Sequence, residues 1–196
     1  MTPSDDLQIY NPIAQTLHWL IGVLVLCLIL AGLILHYDLL PKPESHVLRT
    51  VHIGVGLTVL ALMVLRLGLR LRTPPPALPA AIPPAERLAA RAGHAAMYAM
   101  VIAMPVFGVI FMQAHGREVS WFGLLTLPAL VGEDKPESHL FAAFHFWGGW
   151  ILLALIVVHL SALAWHRRQG IWLLPRMWPG SKPPLPLPGN LRRDRG

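Results

Sequence analysis

The sequence predicts an all-α fold, a four-helix transmembrane bundle, on three observations. Hydrophobic residues make up 55% of the 196 residues, and the mean hydropathy is +0.54. Charged residues make up only 13%, about half of the share that is usual in soluble domains. Four apolar runs each approach the ~20 residues with which a helix crosses a hydrocarbon core of ~30 Å. Lone strands are excluded, because lipid would leave their backbone groups without hydrogen-bond partners.

The four apolar runs predict helices at about residues 17–36, 50–71, 92–113 and 142–165. The connection between the second and third helices reads TPPPALPAAIPPAER, and its prolines favour extended structure. The third connection includes the stretch PALVGEDKPESH. Residues 1–178 therefore form one membrane domain, and a Pro- and Arg-rich tail follows at 179–196.

Lys and Arg are distributed unevenly, and this predicts the orientation in the membrane. Twelve lie at the end of the second helix, in the connection that follows it or in the C-terminal tail, whereas four lie in the first and third connections. The positive-inside rule then places both termini in the cytoplasm and the first and third connections outside. Membrane topology therefore accounts for the net charge of +6, so that no nucleic acid partner is needed to explain it.

Five of the ten histidines lie within the apolar runs, near helix ends: His18, His52, His94, His145 and His159. An imidazole is costly at membrane depth, so these positions indicate function. The predicted orientation places His52 and His145 at the outer level and the other three at the cytoplasmic level. His145 and His159 are separated by 14 positions, about 21 Å and almost four helical turns. The two therefore share one face of the fourth helix.

Two imidazoles on facing helices can hold a haem iron from both sides, with the macrocycle inside the bundle. Six glycines adjoin these histidines or reach the outer level: Gly32, Gly54, Gly56, Gly108, Gly148 and Gly149. They provide room for a haem, although close helix packing also uses glycine. Zinc would require three or four clustered ligands, and a proton relay would require titratable groups in the middle of the bundle. The pattern therefore predicts two haems stacked across the membrane.

Several stretches resemble the bacterial cytochrome b561 family between about residues 11 and 176. They are QTLHWL, VHIGVG, LRLGLRLRTPPP, GHAAMYAMVIAMPVFG and the histidine pair of the fourth helix. The resemblance implies that residues 1–178 are a di-haem cytochrome b domain with two haem b groups. It implies that His18 and His159 bind the iron of the cytoplasmic-side haem, and that His52 and His145 bind that of the periplasmic-side haem. His94 matches a family histidine that is not a ligand.

The resemblance also implies an activity. A member of this kind resides in the bacterial inner membrane and is an oxidoreductase, a superoxide oxidase that passes electrons through its haems to ubiquinone. The alternative is an electron relay without superoxide activity, which exchanges electrons between the quinone pool and a partner dehydrogenase or soluble cytochrome. The first and third connections carry six Asp or Glu residues and four Lys or Arg residues, and this negative balance would suit a basic partner protein better than an anion.

Further candidate residues follow from the needs of haem and quinone. We expect Gly56 and Gly149 to pack against a haem. Haem propionates are anionic and attract basic side chains, so Arg49 and Arg66 are candidates for a propionate or quinone contact, and His94 is another. Arg66 could instead extend its side chain to the interface as a topology-setting arginine. The residues that could steer superoxide are Lys42, Arg49 and Arg117.

Overall fold

The computed structural model describes residues 8–181 and confirms the four-helix architecture. The helices are α1 (Pro12–His36), α2 (Lys42–Arg72), α3 (Pro84–Ala114) and α4 (Lys135–Arg168). Each is long and apolar enough to cross a membrane. Of the tail predicted at 179–196, only residues 179–181 fall within the described part of the chain.

All four helices begin five to eight residues before the predicted positions. Each has a proline at its first or second position, where the missing N–H costs no hydrogen bond and the fixed φ suits the helix. The Asn11 side chain also accepts a hydrogen bond of 2.8 Å from the Ile13 amide at the start of α1, and Asp134 accepts one of 2.8 Å from the Glu137 amide at the start of α4. Hydropathy indicated only the apolar parts of these helices.

The helices pack in chain order: α1 against α2, α2 against α3, and α3 most extensively against α4. A cluster of buried apolar side chains lies between them: Leu17, Ile21, Val25, Val59, Met63, Val101 and Leu152. Large apolar side chains on the outside are exposed, among them Leu30 and Val158, as expected for a surface in contact with lipid. Among the described residues, α4 makes little backbone contact with α1 or α2, so the bundle interior between them can accommodate other groups.

The connection between α3 and α4 contains an antiparallel hairpin, which the sequence reasoning did not predict. Its strands are β1 (Ser120–Trp121) and β2 (Leu125–Thr126). The hairpin folds back against α2, where the Trp121 indole N–H donates a hydrogen bond of 3.0 Å to the Thr58 hydroxyl. It therefore lies along the side of the bundle, at the end that contains His52.

The opposite end of the bundle is tied together by Arg176, which lies in a short 3₁₀ helix (Leu174–Arg176) and is buried. Its guanidinium donates to the backbone oxygens of Gln8 (3.1 Å), Pro76 (2.7 Å) and Ala77 (2.9 Å). Burial lowers the pKa of Arg176 from its usual value. One side chain thus links the N-terminal segment, the α2–α3 connection and the segment after α4.

Candidate functional site

Two pairs of imidazole rings face each other in the bundle. The ring centres of His52 (α2) and His145 (α4) are 6.1 Å apart, and those of His18 (α1) and His159 (α4) are 6.2 Å apart. An imidazole nitrogen lies about 2 Å from a first-row metal ion that it binds, so two imidazoles on opposite sides of one iron have ring centres roughly 6 Å apart. Each pair also joins helices that make little backbone contact with each other. The spacing fits one iron between each pair.

A cavity of about 430 Å³ lies beside the His52–His145 pair and is lined by all four helices. This volume is within the ~300–1,000 Å³ of typical cofactor and ligand sites. The lining is mainly aliphatic, with aromatic contributions from Phe111, Phe146 and Trp150 and polar ones from His36 and Arg49 besides the two facing histidines. Four glycines line it: Gly32, Gly56, Gly108 and Gly149. The structure thus brings the two predicted packing glycines, Gly56 and Gly149, to the same cavity as the outer histidine pair.

The lining glycines have two distinct roles. A Cβ built on Gly56 meets no atom within 4 Å, and one on Gly149 first meets Met104 at 3.9 Å. A Cβ on Gly108 would lie 3.2 Å from Cε1 of His145, which is closer than nine in ten Cβ contacts in proteins. Gly56 and Gly149 therefore keep space open, whereas Gly108 allows the His145 ring to approach α3.

The expectation that Gly54 and Gly148 make room for a haem is wrong. A Cβ on Gly54 would lie 2.5 Å from the Phe122 ring, and one on Gly148 would lie 2.6 Å from the Met104 sulfur. Neither glycine lines the cavity. Successive helical residues point about 100° apart, so a glycine next to a lining position faces a different neighbour. Both glycines serve close packing instead.

The His145 ring is oriented by α3. Its Nδ1 lies 2.9 Å from the Met104 carbonyl oxygen, and a carbonyl only accepts, so Nδ1 must carry the hydrogen. This tautomer leaves Nε2 free as a metal ligand, an arrangement that is usual for ligating histidines. Nδ1 of His52 is buried and has no hydrogen-bond partner among the described residues. An unpartnered buried nitrogen is costly, so the His52 ring lacks the backbone support that Met104 gives to His145.

The other end of the bundle gathers three imidazoles and two guanidinium groups. The ring centres of His94 and His159 are 5.5 Å apart. Arg66 and Arg70 both contact the Tyr98 ring, at 5.3 and 5.2 Å from its centre, which is within cation–π range. The predicted site residues Arg66 and His94 are therefore close to the His18–His159 pair, in surroundings that favour anionic or hydrogen-bonding groups.

The predicted basic residues at the His52 end are not equivalent. Arg49 lines the cavity, whereas Lys42 and Arg117 are exposed and are absent from its lining. His36 lines the cavity as well, stacked on Phe146 with ring centres 4.1 Å apart. His36 is the last residue of α1, and the sequence analysis assigned it no role.

Within residues 8–181, no group of three or more His, Cys, Asp or Glu side chains is arranged to hold a bare metal ion. A structural or catalytic zinc site needs such a group, because three or four protein ligands surround the metal. The described residues thus offer paired imidazoles beside an apolar cavity, which is the arrangement that a bis-histidine haem requires.

Comparison with known proteins identifies the family. The sequence matches the family model described as prokaryotic cytochrome b561 over residues 9–180. The chain belongs to the prokaryotic cytochrome b561 family. It is 30% identical over 154 residues to cytochrome b561 homolog 2 of Escherichia coli (strain K12), covering 76% of this chain and 80% of that protein. It is 31% identical over 159 residues to the probable superoxide oxidase CybB of Yersinia pestis, covering 79% of this chain and 85% of that protein.

As a cytochrome b561-family protein, the chain is a bacterial multi-pass membrane protein and an electron carrier with b-type haem. The residues at the His52 end fit such a group on their own geometry. The facing imidazoles have the right separation, the cavity beside them is open and apolar, and a Cβ at Gly56 would occupy free space in it.

The open position at Gly56 allows a direct test of the cavity. We expect Gly56→Leu to lower the haem content of the purified cytochrome by about one haem per chain, because the new side chain would project into the space beside His52. Ala61→Leu is the matched control, since Ala61 lies on the same helix but is exposed at the surface of the bundle. Haem and protein are quantified by absorbance and amino-acid analysis. Full haem content in Gly56→Leu would contradict this assignment of the cavity.

Proposed function

We propose that this protein binds two b-type haems and carries electrons across the bacterial inner membrane, oxidising superoxide at the periplasmic face and reducing ubiquinone. His52 and His145 would hold the periplasmic-side haem, and His18 and His159 the cytoplasmic-side haem. Residues 1–178 would form this di-haem domain. The observation that carries the proposal is the presence of two facing imidazole pairs, with ring centres 6.1 and 6.2 Å apart, at two levels of one bundle.

The choice between His18 and His94 as the partner of His159 rests on helix packing. The His94 and His159 rings are also close, at 5.5 Å, but α3 and α4 pack against each other more extensively than any other pair of helices. A macrocycle needs space between the helices that supply its ligands. Helices α1 and α4 make little backbone contact, so His18 is the partner that leaves this space.

A bound b-type haem would supply one-electron transfer, and two imidazole ligands would leave it no coordination position for a substrate. The chain's own residues then fix the ligand rings, exclude water and set the nearby charge. Met104 orients His145 through its carbonyl oxygen, and the mainly aliphatic lining would limit the entry of water. Arg49 in the cavity lining and Arg66 near the His18–His159 pair would set the charge at the two ends of the bundle.

Superoxide as the donor is supported by the relative named as a probable superoxide oxidase and by Arg49 at the cavity. A cation there would attract an anion, and Lys42 and Arg117 would add to that field. The excess of Lys and Arg at the other end of the bundle supports a periplasmic location for the His52 end and a cytoplasmic one for both termini.

Ubiquinone as the acceptor is supported by the polar cluster at the His18 end. A quinone needs hydrogen-bond donors at its oxygens and an apolar route from the bilayer. His94 can donate from its imidazole, and Arg66 from its guanidinium. Both lie at membrane depth near the His18–His159 pair, where a lipid-soluble acceptor can reach them.

The second candidate function is a quinone-linked relay that receives electrons from a partner dehydrogenase or soluble cytochrome. The negative balance of the first and third connections, six acidic residues against four basic ones, favours it. Such a surface would dock a basic protein and would repel superoxide, except where Arg49 dominates locally.

Rapid mixing of the purified, ubiquinone-loaded protein with potassium superoxide separates the two functions. We expect haem absorbance to shift to the reduced form at a rate near the diffusion limit, and superoxide dismutase to abolish the change. Quinol formation, measured by chromatography after quenching, should follow. An unchanged haem spectrum under the same conditions would contradict the superoxide activity and favour the relay.

A further inference from the structure

The connection between α3 and α4 contains a stretch without charge that is not accounted for by the redox site. Residues 119–132 read VSWFGLLTLPALVG, and charged residues flank the stretch on both sides: Arg117 and Glu118 before it, Glu133 and Asp134 after it. An uncharged apolar stretch of about 10–14 residues is too short to span a bilayer and is typical of buried, interfacial or re-entrant segments.

The stretch lies beside the membrane-spanning part of α2. The Trp121 indole N–H donates to the Thr58 hydroxyl at 3.0 Å. Thr58 lies near the middle of the uncharged part of α2, which is bounded by Arg49 and Arg66. It is nine residues from Arg49, or about 13 Å along the helix. The hairpin thus contacts α2 closer to the middle of the membrane than the charged residues at the His52 end.

The outward face of the hairpin is apolar. Leu124 is 79% exposed, Leu130 67% and Leu125 64%. Trp121 and Phe122 are partly exposed beside them. Exposed apolar side chains grouped in this way mark an interaction site on a soluble surface, and exposed apolar side chains also cover the outside of the membrane-spanning helices.

Several backbone groups of the stretch are paired with other protein groups. The buried Gln113 side chain donates to the Pro128 carbonyl and accepts from the Leu130 amide, both at 2.9 Å. The Leu127 amide donates to the Val119 carbonyl at 2.9 Å. Irregular backbone is tolerated at membrane depth only where protein groups satisfy it.

We propose that residues 119–132 form a re-entrant hairpin, inserted among the acyl chains of the leaflet at the His52 end. Its leucines face lipid. On its inner side, Val119 is buried and lines the cavity, and the Phe122 ring lies against Gly54. Through Val119 the stretch would contribute to the wall of the cavity on this side. This inference does not depend on which electron donor or acceptor the protein uses.

Quenching by brominated lipid tests the insertion. Leu124→Cys is made in a Cys27→Ala background, labelled with monobromobimane and reconstituted at low density into vesicles of plain or brominated phosphatidylcholine. Ile151→Cys, on the exposed outer face of α4, is the lipid reference, and Glu118→Cys, in the charged flank, is the water reference. Bound haem affects both vesicle types equally, so the ratio of the two fluorescence intensities reports lipid contact alone.

We expect the quenching ratio at position 124 to be close to that at 151 and severalfold above that at 118. A ratio nearer to the 118 reference would overturn the proposal, because it would place the hairpin in water or under another protein surface. If Leu124→Cys fails to fold, Leu130→Cys decides the question by the same comparison, since Leu130 belongs to the same stretch and is 67% exposed.

Discussion

Replacing His52 by alanine should remove one of two haems from the purified protein and leave the other in place. The ring of His52 lies 6.1 Å from that of His145 on the far side of the bundle, and loss of one axial ligand leaves the iron held from one side only. The second imidazole pair, His18 with His159, lies at the opposite end, so its haem should keep its spectrum. Haem per chain is measured by the pyridine haemochrome method, and His145→Ala should give the same result.

Two controls separate ligation from general damage to the fold. His139→Ala removes an exposed imidazole from α4, six positions before His145, and should retain both haems. Adding imidazole to His52→Ala should restore part of the missing haem, because the small molecule can occupy the vacated position. If His52→Ala keeps both haems, or if imidazole restores nothing while the protein remains folded, the assignment of this pair is wrong.

The second large effect is expected from His18→Ala, which should separate electron entry from electron exit. Superoxide should still reduce the remaining haem rapidly, because the His52 end is intact. Formation of ubiquinol should fall by more than tenfold, because the route to the His18 end is broken. Rapid-mixing absorbance reports the first step, and chromatography of the quenched quinone reports the second.

His94→Ala is the matched comparison for His18→Ala, since both remove an imidazole near His159. We expect His94→Ala to retain two haems and to slow ubiquinol formation, as befits a quinone contact rather than an iron ligand. Ubiquinol formation at the normal rate in His18→Ala would show that electrons leave without this pair. Loss of a haem in His94→Ala would instead make His94 the ligand.

The four helices and the depths of their histidines could be predicted, because both depend on patterns within one segment of the sequence. Hydropathy marks a membrane span, and the 14 positions between His145 and His159 fix their common face by helix geometry alone. The structure brings His52 to His145, and it brings both His18 and His94 to His159. The residues alone could not decide whether His18 or His94 is the partner of His159, because that choice depends on which helices leave space between them.

Features that depend on contacts between distant segments were missed. The helices begin earlier than predicted because prolines and caps start them in polar sequence, where hydropathy is silent. The roles of Gly54 and Gly148 were wrong because adjacent helical residues face different neighbours. Arg176 looked like one more basic residue near the tail, yet its partners Gln8 and Pro76 are far away in the sequence. The absence of charge at 119–132 is visible in the sequence, but the packing of this stretch against α2 is not.

The central claim is that each of two imidazole pairs holds the iron of one haem. The most direct measurement combines the haem-to-chain ratio of the purified wild-type protein with its electron paramagnetic resonance spectrum in the oxidised state. We predict a ratio of two and two low-spin ferric signals, because imidazoles on both sides of each iron give a strong ligand field. A ratio of one, or a high-spin signal from an iron with an open coordination position, would contradict it.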